Sequence, residues 1–318
     1  MNMTSAPPFC SIIIPALNEE RDIEACLSSL SQQTYPRERY EIIVVDNGSQ
    51  DATKSLASKY ADQVFERVNC NVGAVRNYGA EKAKGEILIW TDADCAVDEN
   101  WIETGVSLLQ ENESTIFGGG LKPRKDPSWI ERLWLLNDSG KNIQQKDLMG
   151  SCIFTTRELY LKSGKFPEDI TSGEDTALSQ SARSHSISVV LSPMLSLAHL
   201  GSPTTPLEFI RRQQWHGENY LKKPKDSLRD KTFLIALCYS ASLLTAILST
   251  LFGIWSLSLT SVVCSLILSA LVSIKRILRA NGTQLGLKDT LGVLVLDHFY
   301  LIGRGLGIAK GLAGRGHR

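Results

Sequence analysis

Two acidic pairs stand out as groups that could do chemistry. Asp92 and Asp94 lie two residues apart in LIWTDADCAV, and Glu174 and Asp175 are adjacent in SGEDTALS. On an extended backbone, residues two apart point to the same side. The first pair can therefore converge on one hard cation or one sugar hydroxyl. Mg2+ and Mn2+ take oxygen ligands and commonly join carboxylates to substrate phosphates. The same spacing also suits a turn or a helix cap. The second pair fits an acidic first turn of a helix, which the helix dipole favours in any case. Neither pair decides a function alone.

The elements that must position these groups follow an α/β rhythm. CSIIIPA, YEIIVVD and EILIWTD read as buried strands, the last delivering Asp92. EERDIEACLSSLSQQ places Ile23, Cys26, Leu27 and Leu30 at helical spacing. SQDATKSLASKY predicts a helix capped by Ser49, and GAVRNYGAEKAKG a helix closed by Gly85. NWIETGVSLLQEN opens with an Asn100/Glu103 capping-box pattern. Alternating strands and helices imply a largely parallel sheet covered on both faces. Ligands in such sheets bind beyond the carboxyl ends of the strands.

Three of those ends are polar: Asn18, Glu19 and Glu20 follow the first strand, Asp46, Asn47, Ser49 and Asp51 the second, and Asp92 and Asp94 a later one. Together they outline a cleft suited to a nucleotide. No G-x-G-x-x-G and no G-x-x-x-x-G-K-[ST] is present, which argues against an NAD enzyme and a P-loop NTPase. Without a backbone phosphate cradle, a cation on Asp94 would neutralise a diphosphate.

The chain has 34 basic and 34 acidic residues, so its charge gives no case for nucleic acid as the main partner. Residues 232–274 carry no charge at all. That run of 43 residues is about twice the ~20 needed for one membrane span, with FGIWS as the turn of a hairpin. Lys222, Lys223, Lys225, Arg229 and Lys231 precede it, and Lys275, Arg276 and Arg279 follow it. Cationic flanks at both ends place both on the cytoplasmic side. The opening MNMTSAPPFC lacks a basic start and an apolar core, so the globular part is expected in the cytosol. LKDTLGVLVLDHFYLIGRGLGIAKGL is apolar but interrupted by Asp297, His298 and Arg304. It reads as an amphipathic helix on the membrane surface, with a third span as the alternative. The expected division is a catalytic domain over 1–228, a transmembrane hairpin over 229–280, and a surface helix with a basic tail over 281–318. The seven cysteines show no metal spacing and are expected as free thiols.

SIIIPALNEE, VVDNGSQDAT, NVGAVRNYGAEKAKGEILIWTDADC, GKFPEDITSGEDTALSQSAR and RRQQWHGENY stand in an order and spacing that resembles family 2 glycosyltransferases, over residues 10 to about 222. The resemblance implies the GT-A fold, a Rossmann-like, mostly parallel mixed sheet. It implies sugar transfer from a nucleotide-sugar, UDP by default, with inversion and Mg2+ or Mn2+ as cofactor. Carried over residue by residue, Pro15, Ala16, Asn18 and Glu19 would lie along the nucleoside and Asp46 would bind the base. Gly73 and Arg76 would close over the donor, with the Arg76 fork suited to a carboxylate or phosphate. Asp92, with Ala93 beside it, would meet the ribose or sugar. Asp94 would hold the metal together with Asp92 and the late His199. Within the Glu174–Asp175 pair the resemblance makes Asp175 the general base. Arg211, Arg212 and Trp215 would reach a diphosphate or an acceptor phosphate.

Two departures are visible. Processive synthases carry Q-x-x-R-W, whereas here Gln214 precedes Trp215; Asn47 stands where many relatives have a second aspartate. The first disfavours processive polymerisation. The hairpin implies a membrane or lipid-linked acceptor and a multi-pass inner-membrane protein with its catalytic domain in the cytoplasm. A nucleotidyltransferase, an inactive relative and a receiver-like binding module are the competing readings.

Overall fold

The computed structural model describes residues 6–136, 146–170, 172–218, 220, 227–228, 230–280 and 285–313. In chain order the elements begin β1 (Cys10–Ala16), α1 (Ile23–Ser31), β2 (Tyr40–Asp46), α2 (Thr53–Ala57), β3 (Gln63–Glu66), α3 (Val72–Lys82) and β4 (Ile87–Trp90). There follow β5 (Cys95–Ala96), α4 (Trp101–Glu111), β6 (Thr115–Gly118), β7 (Leu121–Lys122), α5 (Trp129–Trp134), β8 (Ile153–Thr156), α6 (Arg157–Lys162) and α7 (Glu174–Ser184). The chain continues with β9 (Ser188–Leu191), β10 (Leu197–His199), α8 (Pro206–Glu218), α9 (Lys231–Leu251), α10 (Trp255–Arg279) and α11 (Leu287–Ala313). Two compact units result. The first runs to Arg124 and resumes until Gly201; the second takes the segment from Lys125 that holds α5, then the chain from Ser202.

The first unit is built on a seven-stranded sheet in the order β3-β2-β1-β4-β8-β6-β9. β1 to β4 are parallel, β8 is antiparallel to both neighbours, and β6 and β9 are parallel. This is the mostly parallel mixed sheet expected. IIIP, IIVV and ILIW form its centre because β-branched side chains fill a sheet buried on both faces. The register aligns Ala16 with Asp46 and Ile13 with Trp90, so three strand ends emerge along one edge. A three-stranded sheet, β5-β10-β7, adjoins the chain just after the D-x-D.

Three local expectations fail, each because a distant partner takes over. Gly85 does not close α3: the cap is Ala83, and the Arg157 guanidinium holds the carbonyls of Ala80, Ala83 and Gly85. Gly85 instead donates its N–H to Ser11 Oγ at 2.8 Å. Ser49 is not a helix cap, since α2 starts after Ala52; its Oγ accepts the Asn18 N–H at 2.9 Å. Asn100 precedes α4 without a side-chain capping bond. Glu103 accepts from Thr34 Oγ1, and Gln33 Oε1 receives the Ile102 N–H.

In the second unit α9 and α10 form a hairpin, turning at Phe252–Ile254 with Gly253 at a φ of +71°. The turn falls where FGIWS predicts it, and positive φ is the conformation glycine adopts freely. α9, α10 and α11 are each long and apolar enough to cross a membrane. Lys222, Lys223, Lys225 and Arg229 of the expected cationic flank lie outside the described residues.

Candidate active site

The polar edge of the first unit is laced across strands. Asn18 sits at a φ of +56°, a left-handed conformation that Asn tolerates because its short side chain can bond locally. Its Oδ1 accepts the Gln50 N–H, while its own N–H goes to Ser49. Glu19 donates its N–H to Thr53 Oγ1 at 2.7 Å. The exits of β1 and β2 are thereby fixed to each other. Asp46 ends β2 fully buried, and its Oδ2 accepts the N–H groups of Gly48 and Ser49 at 3.0 and 2.9 Å. Its Oδ1 is buried without a partner. An orphaned buried acceptor is costly, and a ligand N–H would relieve it.

The D-x-D is divided between two tasks. Asp92 Oδ1 accepts from Arg76 Nη2 at 2.8 Å. The other arm of the same guanidinium, Nη1, pairs with Glu174 Oε1. Arg76 is only 3% exposed, so its fork is filled by two protein carboxylates on motifs about eighty residues apart. Gly150 makes this fit possible: a Cβ there would lie 2.2 Å from Arg76 Nη2. The Gly150 N–H also donates to Asp175 Oδ2 at 3.0 Å, and Asp175 Oδ1 accepts the Thr176 N–H at 2.7 Å. Gly73 opens α3 against the Pro167 carbonyl, which a Cβ would approach to 2.2 Å. One contiguous network therefore runs from Asp92 through Arg76 to Glu174 and its neighbour Asp175.

Asp94 turns to a different partner. β10 is antiparallel to β5, with His199 opposite Cys95, and this register sets His199 Nε2 3.3 Å from Asp94 Oδ2. Leu200 donates its N–H to the Asp94 carbonyl at 2.6 Å. Gly201 leaves the needed room, since a Cβ there would lie 2.4 Å from Asp94 Oδ2. His199 Nδ1 is buried without a partner. Cys95 is also within reach, its Sγ 3.7 Å from Asp94 Oδ1. Burial holds that thiol well above its ordinary pKa, and the thiol, Asp94 and His199 bring three potential ligand atoms within 4.8 Å of one another.

The electrostatics favour a cation here. Burial, then the nearby Asp94, Asp22, Asp92 and Asp51, push the Glu19 carboxyl up to about 7. Burial also raises Asp94, with Asp92 adding to it and His199 opposing. Converging carboxylates, of which only Asp92 is paired with Arg76, plus one imidazole suit a hard divalent ion. Asp94 and His199 are the residues placed to hold it. Pro15, Ala16, Glu19, Ala93, Asp94 and His199 line a cleft of about 270 Å3 at this point.

Arg211, Arg212 and Trp215 stand on α8, in the second unit, with Trp215 60% exposed. Gly150 and Gly201 are the participants sequence reasoning missed. Gly201 follows the LAHL stretch by one residue, a usable signal; DLMGS around Gly150 offers none.

Comparison with known proteins bears on this geometry. The model of the family "Glycosyl transferase family 2" matches residues 11–160. Glycosyltransferase AglE of Haloferax volcanii is 34% identical over 189 residues, covering 54% of this chain and 60% of AglE. Poly(ribitol-phosphate) beta-glucosyltransferase of Bacillus spizizenii is 39% identical over 119 residues, 35% of this chain and 19% of that protein. The match thus spans less than two thirds of either relative. Among solved structures, mannosyltransferase PcManGT from Pyrobaculum calidifontis, in complex with GDP-Man and Mn2+, superposes with a TM-score of 0.56 at 21% identity. The superposition covers 98% of this chain and 89% of that one, which shows a shared fold.

Proposed function

We propose that this chain, whose residues 11–160 match the model of glycosyl transferase family 2, moves a sugar from a nucleotide-sugar, with UDP as the nucleotide, onto a lipid-linked or membrane acceptor, inverting the anomeric carbon. The observation that carries this reading is the Arg76 bridge, which binds the D-x-D and the Glu174–Asp175 pair into one network. A donor resting on the first would present its sugar to the second.

Asp175 takes the acceptor proton. Its two backbone N–H partners fix its orientation, and a carboxylate within reach of the hydroxyl can accept the proton as attack proceeds. The acceptor oxygen then bonds to the anomeric carbon as the bond to the diphosphate breaks, from the opposite face. Glu174 stays paired with Arg76 and holds Asp175 in register. Asp46 supplies a hydrogen-bond acceptor to the base, and Pro15, Ala16, Asn18 and Glu19 line the nucleoside. Asp94 and His199 would hold Mg2+ or Mn2+, which when bound neutralises charge on the departing diphosphate. Arg211, Arg212 and Trp215 bind phosphate of donor or acceptor. The α9–α10 hairpin spans the inner membrane with the catalytic domain, residues 1–228, in the cytoplasm.

The test is release of nucleoside diphosphate from a panel of UDP- and GDP-sugars, with membrane lipid extract as acceptor. Release should require Mn2+ or Mg2+ and vanish in Asp94→Ala. Asp175→Asn should lower turnover ~10²–10⁴-fold while donor affinity stays near wild type. Full turnover in Asp175→Asn would remove that residue as base. Pyrophosphate release from a nucleoside triphosphate would instead support nucleotidyl transfer.

A further inference from the structure

α11 is 27 residues long, about 40 Å at ~1.5 Å per residue, and by length and apolarity it qualifies as a span. Its packing says otherwise. Ser269 and Ser273 of α10 reach the Leu294 carbonyl and Asp297, and Arg276 pairs with Asp297 at 2.5 Å. Further along, His298 meets Tyr239 of α9 at 2.9 Å, and a Cβ on Gly305 would lie 2.1 Å from Ser240 Oγ. Advancing from Leu294 to Gly305 thus moves from one arm of the hairpin to the other. The helix crosses the pair rather than running beside it.

Its other partners are charged helices. Arg132 of α5 pairs with Asp289 at 2.8 Å, Leu133 fills the space at Gly292, and Trp134 stacks near Tyr300. On α8, Gly303 and Gly307 approach the Ile210 and Gln214 carbonyls so closely that a Cβ would lie 2.6 and 2.1 Å away. Lys310 then pairs with Glu218 at 2.8 Å. α8 carries Glu208, Arg211, Arg212, His216 and Glu218 within 13 residues. Were α11 to span, α8 would be drawn into hydrocarbon, where each such group is unfavourable. Without the half clamped to α8, residues 287–302 measure roughly 24 Å, short of the ~30 Å hydrocarbon core.

We propose that α11 lies flat in the bilayer interface across the α9–α10 hairpin, leaving two spans rather than three. The lipid-facing side is the exposed stripe Leu287, Leu291, Val295 and Leu306, continuous in character with the exposed apolar faces of the hairpin. This rests on the membrane reading of the hairpin given above, and it returns the end of the chain to the side from which α9 departs.

The test places topology reporters in the full chain, one at Gly286 and one after the last residue. Both should report the same, cytosolic side. Reporters on opposite sides would overturn the proposal. A second measurement avoids fusions: Lys288→Cys and Leu312→Cys, each made with Cys70→Ser, Cys238→Ser and Cys264→Ser, are exposed to an impermeant maleimide in sealed vesicles of known orientation. Both should label in inside-out vesicles; labelling of the two in opposite orientations refutes a flat helix. Release of the protein by alkaline carbonate would sink the hairpin reading and this one together, whereas nucleotide-sugar turnover surviving that wash would leave sugar transfer standing.

Discussion

Arg76 is the residue on which the site depends as a unit. A buried guanidinium between two carboxylates cannot lose its charge cheaply, because Glu174 would remain desolvated and Asp92 would lose its partner. Arg76→Met is therefore expected to lower stability by ~3–5 kcal/mol in urea denaturation. Arg76→Lys keeps the charge but offers one point where a fork is needed. It should retain more stability than Arg76→Met while losing turnover with little change in donor KM. Equal stability of wild type and Arg76→Met would show that the bridge is not held in solution. At this scale the sequence made the acids legible, since i and i+2 spacing needs no tertiary knowledge. It could not show that the Arg76 fork faces protein rather than donor, because its partners come from α7 and the β4 exit.

Elements were legible where burial dictates pattern. The β-branched centres of β1, β2 and β4 and the charge-free hairpin could be read directly. Helix ends were less so. Ser49, Gly85 and Glu103 all have the right chemistry for caps, yet each bonds a group brought close only by folding. The short strands β5 and β7, of two residues each, carry too little pattern to be found at all. The packing of α3 on β1 is tight enough to test. A Cβ at Gly79 would lie 2.3 Å from Ile13 Cγ2. Gly79→Val should cost ~1–3 kcal/mol through overpacking and lower the melting temperature; an unchanged melt would mean that the helix moves freely off the sheet.

The charge balance of the whole molecule hides an acidic concentration at one edge. Glu19 titrates near 7 in the fold against 4.5 for a free glutamate, so the native state binds the extra proton between those values. Stability follows the difference in bound protons. This contribution is complete below pH 4.5 and is lost as pH rises through 7. In chelator, the melting temperature should fall from pH 5 to pH 8, and Glu19→Gln should flatten that slope. Added Mn2+ should restore stability most at pH 8, where the carboxylates are ionised. A melt that rises with pH in wild type and is unaffected by Glu19→Gln would contradict the arrangement.

If the base rests on Asp46 as proposed, the buried Oδ1 left without a donor would set a rule for which letters of the nucleotide alphabet can enter. Uracil and guanine each present a ring N–H to such an oxygen, whereas cytosine presents a lone pair at the matching ring nitrogen. One mismatched contact of this kind is worth ~1–3 kcal/mol. CDP should therefore compete ~5–150-fold more weakly than UDP or GDP, and Asp46→Asn, which can turn an amide N–H toward the base, should narrow that gap.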